Sequence, residues 1–414
     1  MTVPAPAAPT LAARAARAAV VVAALGYFVD IYDLVLFAVL RVPSLQSLGV
    51  TGDAVLTQGV FLFNAQMTGM LVGGLVWGVL GDLRGRKSVL FGSIILYSLA
   101  NLANAAVTSI PQYAVLRFIA GVGLAGELGA GVTLVSELMR RETRGLGTMV
   151  IAGFGTLGAV AAGLVGNQLP WRWAYVVGGC LGLALLLLRV GVFESGMFEA
   201  TKAGGARRGA FLSLFATADR ARRYLACIMV GLPIWYAVGV LVVLSPELAA
   251  GLGVRGEVTV ARAIILCYLG LSIGDFMSGA VSQWMRSRRR AMLLFILALQ
   301  ATVVVYLLAR GVSATAFYGL CLAVGFFAGY WAVFMTNASE QFGTNLRATV
   351  TTTVPNFVRG AVVPITLAFS ALRAPLGTPG AALAVGAACT ALALLALLLL
   401  PERFDADLDY VEPL

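Results

Sequence analysis

Long apolar stretches, separated by short polar or charged turns, fill most of the chain. A helix needs about 20 apolar residues to cross the hydrocarbon core of a bilayer. Stretches of this kind occupy residues 18–40, 57–80, 88–108, 111–136, 146–167, 173–192, 223–245, 260–284, 291–309, 314–337, 349–371 and 380–400. The pattern therefore predicts an all-α membrane protein with twelve transmembrane helices.

The composition favours the same class. Hydrophobic residues make up 60% of the 414 residues, charged residues make up 12%, and the mean hydropathy is +0.92. A typical soluble domain is about 45–50% apolar and about 25% charged, so a soluble protein this apolar could not cover its surface. The five cysteines are irregularly spaced and form no disulfide or zinc pattern. The chain has no histidine, so proton transfer near neutral pH must use carboxylates, and no cofactor or resident metal is expected.

The basic residues of the loops lie mostly on the side that holds the N-terminus, where we count twenty, against five on the opposite side. Basic loops of membrane proteins stay in the cytoplasm. Both termini are therefore expected to be cytoplasmic. Basic cytoplasmic loops and their attraction to anionic lipids account for the net charge of +10, so no nucleic-acid partner is needed to explain it.

Two short motifs recur about half a chain apart. SELMRRETRG (136–145) returns as SEQFGTNLRA (339–348), and GVLGDLRGRK (78–87) returns in altered form as GAVSQWMRSRRR (279–290). Their offsets of 203 and 201 residues indicate a duplicated six-helix unit, an organisation typical of secondary transporters.

The repeat divides the chain into two bundles. The expected parts are an N-terminal cytoplasmic tail (1–17), a first six-helix bundle (18–192), a cytoplasmic linker (193–222), a second six-helix bundle (223–400) and an acidic cytoplasmic tail (401–414). The acidic tail is expected to be a solvated, mobile end, and pairing with the basic cytoplasmic loops is the alternative.

The stretch GVLGDLRGRK closely resembles the G-x-L-x-D-x-x-G-R-K/R signature of the major facilitator superfamily. The resemblance implies a fold of two pseudo-symmetric bundles and transport by alternating access, in a protein that acts as a monomer. It also implies gating roles, through charge pairs and close helix contacts, for the motif residues and their repeat counterparts. These residues are Gly78, Asp82, Gly85, Arg86, Glu137, Arg144, Glu340 and Arg347.

Two further stretches resemble the metabolite:proton symporters and organic-acid permeases of that superfamily. GYFVDIYDLVLF (26–37) is similar to their first-helix pattern G-x-x-x-E-W-Y-D-F, with Asp30 in place of the usual Glu. RFIAGVGLAGELGAGVTLVSE (117–137) is similar to their fourth-helix pattern R-F-x-x-G-x-G-x-G-G-E. The resemblance implies a small organic acid as substrate and a location in a bacterial inner membrane.

Charged side chains inside a bilayer are costly and mark functional sites. Six lie within the predicted spans, and they are Asp30, Asp33, Arg117, Glu127, Asp275 and Arg359. Depths counted at 1.5 Å per residue suggest that Asp33 pairs with Arg117, and that Asp275 pairs with Arg359 at roughly 14–15 Å from the cytoplasmic boundary. Asp30 and Glu127 are then left without an obvious basic partner, which makes them the candidate proton carriers.

Arg359 follows Pro355 and Asn356 in the stretch VPNFVRG, where proline allows a kink. A guanidinium on such a helix suits bidentate capture of a carboxylate, although a static pair with Asp275 is the alternative. The predicted substrate-binding set consists of Arg359, Asn356, Tyr27, Asp33, Arg117 and Asp275. The first pair, Asp33 with Arg117, could instead simply lock two helices together.

These observations predict a secondary transporter that moves a small mono- or dicarboxylate in symport with protons. The main alternative is a transporter of a cationic solute or divalent metal ion that uses Asp30, Asp33 and Glu127 as ligands. A drug exporter is less well supported, because residues 153–166 lack a Gly-Pro pair, and a non-transporting sensor is less well supported because the tails are short. An enzyme is not expected, since no nucleophile is paired with a base.

Overall fold

A computed structural model describes residues 11–84, 86–126, 141–194, 211–404 and 410–412. Its helices are α1 (Leu11–Ser47), α2 (Ala54–Arg84), α3 (Arg86–Asn104), α4 (Ile110–Leu124), α5 (Arg141–Gln168), α6 (Trp171–Glu194), α7 (Ala218–Tyr236), α8 (Ser245–Leu252), α9 (Val260–Trp284), α10 (Arg288–Leu308), α11 (Ala314–Ala328), α12 (Trp331–Glu340), α13 (Thr344–Gly360) and α14 (Val362–Leu399). A 3-10 turn (Phe211–Phe215) precedes α7, and a π-helical turn (Ala237–Val242) extends it.

Where the structure describes them, the helices follow the first nine predicted spans, and differences occur in the last third of the chain. In the described residues, eight helical segments are long and apolar enough to cross a membrane, and Val89–Asn104 and Ile110–Leu124 are shorter apolar helices. The predicted span 314–337 is interrupted at Gly329 and Tyr330, which separate α11 from α12. The predicted span 349–371 is divided at Ala361, between α13 and α14. α14 continues into the last span, and its regular geometry breaks at Gly377, with φ of 69°, inside the loop predicted between 371 and 380.

The two halves of the chain meet along α2 and α13 on one side and along α5 and α9 on the other. The Oγ1 of Thr156 and the Oγ of Ser272 lie 2.5 Å apart between α5 and α9. Near the contact of α2 with α13, the Nδ2 of Asn356 donates to the carbonyl of Ala125, which directly follows α4, at 2.9 Å. Single hydrogen bonds of this kind, between otherwise apolar helices, can break and re-form as two bundles move.

Within the second half, α9 packs backbone against backbone on α11. A Cβ added to Gly270 would collide with the carbonyl of Leu322, and one added to Gly325 would collide with the carbonyl of Cys267. Small residues allow such close approach of membrane helices. The glycine spacing in α9 and α11 therefore fixes how this pair of helices packs.

Gly325→Ala is expected to destabilise the protein by about 1–3 kcal/mol, because an overpacked site must displace backbone. Gly319→Ala on the same helix is the matched control, since a Cβ there meets nothing within 4 Å. Thermal unfolding of both purified variants in detergent measures the difference. Equal melting temperatures for the two variants would contradict the close contact.

The described residues of the acidic tail pack against the arginine-rich end of the second half, so the expectation of a solvated, mobile end is wrong for them. Glu412 is only 6% exposed. Its Oε2 lies 3.3 Å from the Nε of Arg220 and its Oε1 lies 3.1 Å from the Nη1 of Arg223. Asn345 accepts from the backbone N–H of Glu412 and donates to its carbonyl, at 3.0 and 3.1 Å. The carboxylate of Glu412 thus supplies negative charge beside two buried guanidinium groups, which offsets part of the cost of their burial.

Glu402 anchors the same tail at the first turn of α10. Its carboxylate accepts from the Oγ of Ser287 and from the backbone N–H groups of Arg288 and Arg289. Burial opposes ionisation of this carboxyl, but the hydrogen bonds from Ser287 and from the backbone N–H groups of Arg289 and Arg288 outweigh it and lower its pKa below the ordinary value of 4.5.

A lowered pKa in the folded state makes the anchor dependent on pH. The stabilisation by Glu402 is fully present above pH 4.5 and is lost as the pH falls through the lower, folded pKa. Hydrogen exchange of the peptide 399–404 should therefore be slower in the wild type than in Glu402→Gln at neutral pH, and the difference should vanish in acid. A difference that persists unchanged in acid would contradict the role of the ionised carboxylate.

Candidate functional site

The boundary between the two halves contains a buried ion pair. The Oδ2 of Asp30 on α1 lies 3.9 Å from the Nη2 of Arg359 on α13, and the two side chains are 0% and 1% exposed. The predicted pairing of Arg359 with Asp275 is therefore wrong, and so is the expectation that Asp30 has no basic partner. Counting residues gave similar depths for these groups, but it did not give the direction in which each helix face points.

Aromatic side chains surround the Arg359 guanidinium. Its Cζ lies 5.7 Å from the ring centroid of Trp235 and 5.8 Å from that of Trp331. Tyr27 and Tyr268 are buried nearby and interact electrostatically with Arg359 and Asp30. Within the described residues, the Nε and Nη1 of Arg359 have no hydrogen-bond partner. The guanidinium thus keeps donors that no described residue uses, in a buried, aromatic setting.

Asp275 contacts a helix end and not the Arg359 guanidinium, and its predicted role in substrate binding stays a prediction. It is 3% exposed, and its Oδ1 accepts from the backbone N–H of Ala332 at 3.0 Å. Ala332 is the second residue of α12, so the carboxylate caps that helix instead of balancing Arg359.

Two other predicted ligands lie at the same boundary. Tyr27 packs against Gly155, where an added Cβ would overlap the tyrosine ring. The amide of Asn356 is engaged between helices, because its Nδ2 bonds the carbonyls of Ala125 and Thr352 at 2.9 Å each. The site brings Tyr27, Asn356 and Arg359 close to the boundary, and their roles as ligands stay predictions.

A second polar cluster lies inside the first half. Arg117 interacts electrostatically with Asp33, and its Nη1 donates to the Oδ1 of Asn101 at 3.5 Å. The rings of Phe37 and Tyr175 each lie 5.5 Å from its Cζ. This neighbourhood agrees with the predicted grouping of Asp33 with Arg117, and whether it binds substrate stays a prediction.

The gating residues are described only in part. Gly78 faces Thr353 of the other half, at 3.9 Å for an added Cβ. Glu340 pairs with Arg288 at 3.3 Å, while Arg347 donates to the carbonyls of Ser339 and Phe342. The remaining predicted residues lie outside the described residues or have side chains that are not described, and they are Asp82, Gly85, Arg86, Glu127, Glu137 and Arg144.

One contact between the halves was not predicted from the sequence. The Nη2 of Arg41, near the end of α1, lies 2.6 Å from the Oε1 of Glu247 on α8 and donates to the carbonyl of Val243. The side chain of Arg41 is fully buried. Arg41 directly follows the predicted span 18–40, and nothing in the local sequence indicates a partner in the other half. This contact joins the two halves at the end of the boundary opposite the arginine-rich loops.

Comparison with known proteins defines the class to which this arrangement belongs. The sequence matches the model of the Major Facilitator Superfamily over residues 23–360. The chain therefore belongs to the major facilitator superfamily, and it is a multi-pass membrane transporter and not an enzyme.

Individual relatives cover most of the chain. It is 30% identical to the 3-(3-hydroxy-phenyl)propionate transporter of Escherichia coli (strain K12), over 77% of this chain and 79% of that protein. It is 29% identical to the probable 4-methylmuconolactone transporter of Cupriavidus pinatubonensis (strain JMP 134 / LMG 1197), over 78% and 76% of the two chains.

A solved structure shows the same fold. The proton:xylose symporter XylE, bound to 6-bromo-6-deoxy-D-glucose, superposes with a TM-score of 0.71 at 15% identity and covers 96% of this chain and 98% of that one. The prediction of twelve transmembrane helices in two six-helix bundles is confirmed.

Proposed function

We propose that this transporter moves small organic anions by alternating access, in symport with protons. The observation that carries the proposal is the buried Arg359 guanidinium, which faces Asp30 from the opposite bundle and has unused donors within the described residues. A mono- or dicarboxylate is the class of ligand that such a group binds best.

Ligand exchange at the guanidinium supplies the binding chemistry. Nε and Nη2 form one edge of the group, and parallel hydrogen bonds from such an edge match the two oxygens of a carboxylate. Nη2 faces Asp30 at 3.9 Å, whereas Nε has no partner among the described residues. A substrate carboxylate would therefore bind along this edge and displace Asp30.

Charge balance at the buried site favours entry of a proton with the anion. Arg359 and Asp30 together are neutral, so a bound carboxylate alone would leave one uncompensated negative charge. An uncompensated charge inside a membrane costs several kcal/mol. Protonation of the displaced Asp30 restores neutrality, which makes Asp30 the proposed proton carrier, with Glu127 as a second candidate.

The surroundings favour an acid that carries a ring. Trp235 and Trp331 flank the guanidinium, and aromatic faces pack well against planar substrates. The relatives whose names describe transport of 3-(3-hydroxyphenyl)propionate and, as probable, of 4-methylmuconolactone support the same class. A cationic solute would meet the fixed positive charge of Arg359, which argues against the alternative.

We further propose that the protein lies in a bacterial inner membrane, works as a monomer and has its arginine-rich loops and both termini in the cytoplasm. The proposed limits of the bundles are those predicted from the repeat, 18–192 and 223–400.

Uptake of labelled 3-(3-hydroxyphenyl)propionate into proteoliposomes tests the proposal. An inwardly directed proton gradient should drive accumulation above the external concentration, and a protonophore should abolish it. Protein-free liposomes at the same gradient report passive entry of the neutral acid and are subtracted. Uptake that is carrier-dependent but indifferent to the gradient would refute proton coupling, and the absence of uptake for a panel of ring-bearing acids would refute the substrate class.

A further inference from the structure

The crossing that contains α11 and α12 is interrupted beside the Arg359 site. Gly329 and Tyr330 leave helical geometry, with ψ of 54° and 18°, and α12 starts again at Trp331. The first N–H groups of any helix lack partners within that helix. A helix that begins inside a bundle therefore needs an acceptor from elsewhere, and Tyr330 at the N-cap provides no side-chain hydrogen bond.

Asp275 provides that acceptor from a neighbouring helix. Its Oδ1 accepts from the N–H of Ala332 at 3.0 Å, and its side chain is buried. Close backbone packing holds it there, because a Cβ on Gly329 would lie 2.7 Å from the backbone nitrogen of Asp275, and one on Gly274 would overlap the carbonyl of Phe326. The close packing of α9 on this crossing thus fixes the position of the Asp275 carboxylate relative to the break at Gly329 and Tyr330.

The first residue of α12, Trp331, lines one side of the proposed anion site. Trp331 is the first residue of α12 and directly precedes Ala332, and its ring lies 5.8 Å from the Cζ of Arg359. We propose that Asp275 is a positioning residue: by capping α12 it holds Trp331 against the guanidinium and so sets the affinity for the carboxylate substrate. This inference rests on the proposed function.

Replacement by asparagine separates capping from charge. Asparagine and aspartate are about equally good helix caps, whereas alanine lacks the acceptor. A role as proton carrier or as counter-ion of Arg359 requires a carboxyl group that asparagine does not have. Asp275→Asn should therefore preserve transport if the residue acts as a cap, and should abolish coupling if it acts through its charge.

The experiment measures KM and kcat for proton-driven uptake of 3-(3-hydroxyphenyl)propionate. Loss of a cap is worth about 0.5–2 kcal/mol, so Asp275→Ala is expected to raise KM by about 2- to 30-fold while kcat stays within about twofold. Asp275→Asn is expected to keep both values near those of the wild type. The matched control is Ser313→Ala, which removes the cap of α11 at the far end of the same crossing, where Ser313 accepts from Ala316 at 3.2 Å.

Hydrogen exchange of the peptide 331–340 in the unliganded protein gives a readout that does not depend on substrate. Asp275→Ala should accelerate this exchange, and Asp275→Asn and Ser313→Ala should not. The inference is overturned if Asp275→Asn behaves like Asp275→Ala in either assay, or if Asp275→Ala leaves KM and exchange unchanged. Failure of the wild type to transport the probe would refute the substrate assignment alone, because the exchange experiment still tests the cap.

Discussion

Arg359→Lys is expected to raise the KM for carboxylate uptake by at least about tenfold, and Arg359→Ala to abolish uptake. Lysine keeps the positive charge that Asp30 faces but loses the planar edge that holds both carboxylate oxygens. A hydrogen bond to a charged group contributes about 1.5–3 kcal/mol, which corresponds to a factor of roughly 10 to 150 in affinity. Alanine also leaves Asp30 without its counter-ion, which costs about 3–5 kcal/mol when the remaining charge stays buried.

Uptake by proteoliposomes and ligand-dependent thermal stabilisation measure these effects separately. Arg373→Lys is the matched control, because Arg373 lies in α14 away from the site and its Nε bonds the Oγ1 of Thr378 at 3.4 Å. We expect that control to transport normally. Normal uptake by both Arg359→Lys and Arg359→Ala would refute the assignment of Arg359 as a substrate ligand.

Asp30→Asn is expected to abolish accumulation driven by a proton gradient while leaving substrate exchange intact. The asparagine cannot take up the proton that balances an incoming anion. Arg359 then faces no carboxylate from Asp30, and the substrate itself becomes its counter-ion. Removal of one partner of a buried pair costs about 3–5 kcal/mol, so the unliganded variant should be less stable than the wild type.

Ligand binding should recover part of that loss, because a ligand that binds only the folded state stabilises it. The melting temperature of Asp30→Asn should therefore rise more with 3-(3-hydroxyphenyl)propionate than that of the wild type. Asp53→Asn, in the exposed turn before α2, is the control and should match the wild type. Gradient-driven accumulation by Asp30→Asn would show that another group carries the proton.

The sequence was sufficient to predict the helices and the charged groups, because both depend on local composition. Apolar length alone identifies a span, and a carboxylate within a span is visible without any knowledge of its partners. Partners depend on how helices rotate and pack, which depth along a helix does not specify. For that reason Asp30, Asp275 and Arg359 were identified together while Arg359 was assigned to the wrong aspartate.

The break inside the tenth crossing was missed for a related reason. A hydropathy window measures whether side chains are apolar, and the residues around Gly329 are as apolar as their neighbours. The helix that restarts at Trp331 is capped by a carboxylate 56 positions earlier in the chain, at Asp275. No local pattern contains that information.

The internal repeat indicated residues that form a charge pair between its two motifs, but it did not indicate how the residues around Arg359 are arranged. Its second copy joins Arg288, from the altered motif, to Glu340, from the Ser-Glu motif, at 3.3 Å. By the offsets of 201 and 203 residues, Arg288 and Glu340 correspond to Lys87 and Glu137 of the first copy.

One turn of α13 carries both Asn356, which bonds the carbonyl of Ala125 across the boundary, and Arg359, which is proposed to hold the anion. Binding of an anion to the Arg359 guanidinium and formation of the Asn356–Ala125 hydrogen bond between the halves are therefore not independent events. An aromatic acid with a substituent large enough to keep this turn away from Ala125 would occupy the site without completing the cycle. Such a compound would act as a competitive inhibitor that is not translocated. Ring-bearing acids with larger ring substituents are the compounds to test for this effect.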